Sequence, residues 1–102
     1  RTRTLMVASH ADDAPLDERA LSKLRWRCRR GMLENDLFLE RFFLRHGQTL
    51  TERNGDALMD LMDLSDNDLL DLHLGRRTPA EIDARLDRSD VVEVLAMVRA
   101  SN

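Results

Sequence analysis

Apolar residues recur along the chain at spacings of three and four, with charged residues filling the intervals. That period puts side chains on one face of an α-helix and predicts helices throughout. Alternating β-branched runs are missing and tyrosine does not occur, so nothing argues for a strand. Pro15 and Asp17 open a first helix whose Leu21, Leu24 and Cys28 share a face. Arg29 and Arg30 put positive charge at its C-terminal end, and Gly31 can take the left-handed conformation that stops it. Glu34 and Asp36 suit the start of a second helix, where unsatisfied backbone N–H groups favour negative charge. Leu37, Phe38, Phe42 and Phe43 supply its apolar face, and Gly47 ends it.

The pattern continues to the end of the chain. Thr51 caps a third helix with Leu58, Leu61 and Met62 turned inward, and Gly55 weakens its first turn. Ser65 with Asp68 resembles a capping box before a short fourth helix, "DLLDLHL", which stops at Gly75. The best helix start is "TPAE": Thr78 as N-cap, Pro79 at the first helical position and Glu81 at the third. Ser89 can recap the chain before Val91, Val94, Leu95 and Val98, so the last segment reads as one helix or two. The expected architecture is all-α, a small five-helix bundle over residues 15–102 behind a disordered lead-in over residues 1–14.

Composition narrows the class. At 102 residues the chain forms one domain, and its 42% hydrophobic and 34% charged content suits a well-solvated helical protein. No apolar run approaches the roughly 20 residues needed to span a bilayer, so no membrane insertion is expected. The lead-in is too short of apolar residues for a secretory peptide, and its Asp12 and Asp13 do not suit a mitochondrial presequence. Cys28 is the only cysteine, which excludes an internal disulfide and fits a reducing cytoplasm.

Charge is unevenly distributed. Arg19 to Arg45 holds eight Lys/Arg against three acids, whereas Glu52 to Glu93 holds five Arg against twelve Asp/Glu. Solvated helix faces account for most such asymmetry, and docking surfaces steered by charge account for the rest.

Catalytic chemistry finds little support. His10, His46 and His73 lie far apart in sequence and lack the spacing of a metal site. The acids of "DALMDLMDLSDNDLLDL" recur every three or four positions between leucines, which describes an amphipathic helix and not a calcium loop. Arg25, Arg27, Arg29 and Arg30 beside Trp26 could contact phosphates, but the acidic second half opposes nucleic acid as a partner. All four aromatics fall between Trp26 and Phe43. The phenylalanines read as core. Trp26 lies off the Leu24/Cys28 stripe among arginines, and is expected to be only partly buried, as a protein-binding hot spot.

The stretch "WRCRRGMLEND", Trp26 to Asp36, followed by Phe42–Phe43, resembles the SdhE family of FAD assembly factors. Its R-G-x-x-E hallmark is met by Arg30, Gly31 and Glu34, and the likeness extends through "LMDLSDNDLLDLHLG" to Pro79. The longer lead-in and "DARLDRSD" depart from the family pattern. The resemblance implies a five-helix bundle that is not itself an enzyme and binds no cofactor stably. It implies a monomer that helps the flavoprotein subunit of succinate dehydrogenase, and that of fumarate reductase, attach FAD covalently to a histidine. Arg30, Gly31 and Glu34 would form the contact surface, Asp36 would match the motif's trailing acid, and Arg29, Trp26 and Lys23 would flank it. An antitoxin-like or nucleic-acid-binding regulator is the alternative.

Overall fold

A computed structural model of the chain describes residues 14–102. The bulk of the expected lead-in, residues 1–13, lies outside the described residues. Among the described residues six α-helices follow one another: α1 (Glu18–Arg27), α2 (Leu33–His46), α3 (Glu52–Met62), α4 (Asp66–His73), α5 (Pro79–Ile82) and α6 (Ser89–Ala100). Five of them have eight residues or more, and α5 is a single turn. Two 3-10 turns, Gly47–Thr49 and Ala84–Leu86, complete the path. Among the described residues there is no strand, only an isolated bridge between Pro15 and Thr51. No described helix is long and apolar enough to cross a membrane.

The caps account for the helix starts. Asp17 accepts from the Ala20 amide to open α1. Thr51 and Asn54 form a reciprocal box at α3, and Thr78 and Glu81 form another at α5. Ser65 accepts from the Asp68 amide, at 3.2 Å, supplying half of the expected box. Ser89 does not cap α6; it is the first helical residue, and Arg88 precedes it without a side-chain cap. The final segment is therefore two helices, separated where Asp83 turns the chain through Ala84–Leu86.

Helix ends depart from expectation more than starts do. Gly75 has φ +74, and the Gly75 and Arg76 amides donate back to Leu72 and Asp71, a Schellman ending for α4. By contrast Gly47 stays right-handed at φ −51, so α2 passes directly into a 3-10 turn. The first helix stops at Arg27 with Cys28 as its C-cap. Gly31 is left-handed as expected, at φ +87, but it bends the connection after the helix has ended. The cations of the last turn of α1 are accordingly Arg25 and Arg27, with Arg29 and Arg30 beyond it.

The core forms around α6, which packs against α3, α2 and α4, while α1 lies on α3. Val91, Val94 and Val98 are fully buried there with Phe42, Leu61, Leu69 and Leu72. Full burial of each such side chain stabilises by about 1.5–3 kcal/mol. The inward positions expected for α3 hold, since Leu58, Leu61 and Met62 are all buried. Leu37 does not join Phe42 and Phe43 in the core, because it lies on another face of α2, 38% exposed.

Candidate functional site

The connection between α1 and α2, residues 28–32, forms an elbow, and its two helices enclose a groove of about 430 Å³. Cys28, Leu39 and Phe43 are buried beneath this groove, and Arg25, Trp26, Arg29, Leu33, Leu37 and Glu40 border it. The Arg25 guanidinium lies 5.7 Å above the Phe43 ring, which holds that cation against the wall. Trp26 is 74% exposed and Leu33 67%. The expectation of a partly buried Trp26 is corrected: the helix turns it away from the Leu24/Cys28 stripe, and no element among the described residues covers it. Exposed together, Trp26, Leu33 and Leu37 make one apolar rim on an otherwise charged surface.

The motif residues divide between two tasks. Asp36 turns inward, its carboxylate accepting from the Arg30 amide at 2.9 Å and the Gly31 amide at 3.1 Å. Arg30 also turns inward. Its Nε donates to Asp66 Oδ1 at 2.6 Å, and its terminal nitrogens donate to the carbonyls of Met62 and Leu64. Only 18% of the Arg30 side chain is exposed, so the structure does not place its guanidinium on the contact surface expected for it. Gly31 and Glu34 face outward. Nothing lies within 4 Å of where a Gly31 side chain would project, and Glu34 has no ion pair or side-chain hydrogen bond among the described residues. Lys23 is exposed but borders a second groove of about 200 Å³, between α1 and α3, together with Arg27 and Glu52. It thus borders a different groove from Arg29, although Lys23 and Trp26, three residues apart, are neighbours on the surface of α1.

Beneath the elbow lies a polar cluster that the sequence reading did not identify. Asn35 is fully buried, and its Nδ2 donates to the Asp66 carbonyl at 3.0 Å and approaches Met32 Sδ at 3.4 Å. That orientation leaves Asn35 Oδ1 to accept from His73 Nδ1, 3.0 Å away. His73 stacks on Phe38 with ring centroids 4.9 Å apart, and its buried Nε2 has no hydrogen-bond partner among the described residues. Burial pushes His73 down to about 4, so the ring is neutral at pH 7. Burial likewise pushes the Cys28 thiol up to about 12, against the opposing pull of Arg30, and leaves it unreactive. Among the described residues no group of His, Cys, Asp and Glu could hold a metal ion.

One signal for the rim was present in the sequence. Leu33, Leu37 and Leu44 fall at helical spacing on the side of α2 away from Phe42, and a helix with two apolar stripes has one left over after its core face is filled. Leu44, 76% exposed, extends that second stripe.

Comparison with known proteins bears on the same region. A family model described as flavinator of succinate dehydrogenase matches residues 22–99. The FAD assembly factor SdhE of Ralstonia nicotianae is 45% identical over 84 residues, 82% of this chain and 85% of the relative. That of Coxiella burnetii is 45% identical over 60 residues, 59% of this chain and 73% of the relative. The Legionella pneumophila (strain Lens) protein of the same description is 32% identical over 84 residues, 82% of this chain and 96% of the relative. No solved structure gives a significant match.

Proposed function

The chain belongs to the family of succinate dehydrogenase flavinators, the FAD assembly factors, and from that premise we propose that it docks on the succinate dehydrogenase flavoprotein through the α1–α2 elbow and promotes covalent attachment of FAD there. The observation that carries this reading is the set of groups at the elbow left without partners. Glu34 and the cations Arg25 and Arg29 have no ion pair among the described residues, and they surround exposed Trp26 and Leu33. Such a patch combines an aromatic anchor with charges able to form charge-assisted hydrogen bonds once covered. Gly31 lets a partner's backbone approach where a side chain would stand in the way.

Promotion of the reaction is a matter of positioning. This chain contributes no reacting group; FAD and the histidine that receives it belong to the flavoprotein. By gripping the flavoprotein, the elbow holds that histidine and the flavin in line, which lowers the entropic part of the barrier. The flavoprotein subunit of fumarate reductase is a second substrate of the same kind. The test is to incubate apo flavoprotein with FAD, with and without this protein, and read covalent flavin by in-gel fluorescence. Faster labelling with the protein present is expected, and equal labelling overturns the reading.

A further inference from the structure

We propose that Arg30 is a positioning residue, fixing the elbow in the shape that presents Gly31 and Glu34 and not itself touching the flavoprotein. The inference rests on the docking reading above but draws on separate observations. All three guanidinium nitrogens of Arg30 are engaged by the α3–α4 turn: Asp66 Oδ1 by Nε, and the Met62 and Leu64 carbonyls by the terminal nitrogens. The backbone amides of Arg30 and Gly31 are held from the opposite side by the Asp36 carboxylate of α2. A further tie runs from α2 to the same turn, where the buried Asn35 donates to the Asp66 carbonyl.

These bonds matter because of what lies between them. Gly31 sits at φ +87, and glycine alone accepts many backbone conformations with similar ease. Its neighbours must therefore impose the one that points Glu34 and the apolar rim outward. The Arg30 side chain carries the imposed geometry from the elbow across to α3 and α4, some thirty residues along the chain. Lysine at this position would keep the charge, but a single ammonium cannot reach a fan of three acceptors.

A protein whose docking-competent elbow is only partly populated binds more weakly in proportion, yet at saturation it works as fast. The experiment titrates apo flavoprotein and FAD with the full chain, its Arg30→Lys and its Arg30→Gln variants, at a temperature where circular dichroism shows all three folded. Alongside, hydrogen exchange of the Arg30 and Gly31 amides is followed in each chain without the flavoprotein. Both variants should raise the half-saturating concentration by about tenfold, the scale of one charge-assisted hydrogen bond, with the maximal rate unchanged. Both should speed exchange at the elbow while the α3 core stays protected. Arg30→Lys behaving as wild type while Arg30→Gln fails would mean a contact by charge and would overturn the proposal. So would unchanged elbow exchange in both variants. If the unaltered chain fails to promote flavinylation, the docking reading falls, while the exchange measurement still decides whether Arg30 holds the elbow.

Discussion

Gly31 combines a left-handed backbone with open space around the point where a side chain would begin. Arginine placed there would cost about 1 kcal/mol in backbone strain, with no clash to add to it. Gly31→Arg should keep its helical circular dichroism and lose flavinylation activity, since the new side chain stands in the docking surface. Normal activity in that variant would remove the elbow from the interface. Glu34 tests the same surface by subtraction. As an exposed acid in the first turn of α2 it contributes roughly 0.3–1 kcal/mol to folding. An interfacial charge left without its partner typically costs about 2–5 kcal/mol. Glu34→Ala should therefore lower affinity for the flavoprotein, by titration calorimetry, well beyond its loss in thermal stability. Equal small losses would make Glu34 a helix-start acid and nothing more.

At the scale of elements, α2 and α4 are joined through a buried ring that resists protonation. His73 titrates near 6.5 in the unfolded chain and near 4 in the folded one. Between those values the unfolded chain binds the proton and the folded chain does not. Stability is thus full above about pH 6.5 and is lost as pH falls toward 4, by about 3 kcal/mol in total. Chemical denaturation across that range should show the slope, and His73→Gln should flatten it. Glu81, Asp83 and Asp90 are held below their ordinary values by hydrogen bonds from Thr78, Arg85 and Arg88, so their losses begin only at lower pH. An unchanged slope in His73→Gln would show that the cluster does not set it.

Helix starts were legible because a cap is a local event: Asp17, Thr51, Ser65 and Thr78 each bond an amide three residues away. Helix ends were less so, since Gly31 and Gly47 offer the same residue and take opposite signs of φ. The outward set of the site, Gly31 and Glu34, could be marked from the motif. Whether Arg30 faces out or in could not, because its acceptors lie more than thirty residues later. The Asn35–His73 pair was hidden for the same reason, as its partners are 38 residues apart.

Over the whole molecule the two signs of charge are managed differently. The acids of the second half are largely tied to arginines, with Asp60 and Asp90 on Arg88, Glu93 on Arg53, and Asp68 and Asp71 on Arg77. The cations Lys23, Arg25, Arg27 and Arg29 have no carboxylate partner among the described residues. Unpaired cations gathered at one end would speed encounter with an acidic surface, an effect that salt weakens. Reversing Arg25 and Arg27 to Glu should slow association with the flavoprotein by roughly tenfold at low ionic strength, with the gap closing as salt is added. The comparison pair should be Asp63 and Asp87 reversed to Lys, both exposed. Asp60 is unsuitable because it clasps α3 to Arg88 at 2.8 Å. Stopped-flow measurements across a salt series would check this, and equal slowing by the acidic pair would place the partner on the other face.

Trp26 is the only tryptophan, and the chain has no tyrosine. Ultraviolet emission excited at the red edge of protein absorption therefore comes from one indole, already 74% in water. Most proteins signal their unfolding by a red shift as indoles leave the interior. Here that shift has almost nowhere to go, so a melting curve followed by emission wavelength would be nearly flat. Covering the elbow has the reverse effect: an indole moved from water to an apolar contact emits further to the blue. The same residue is a poor reporter of folding and a direct optical reporter of docking.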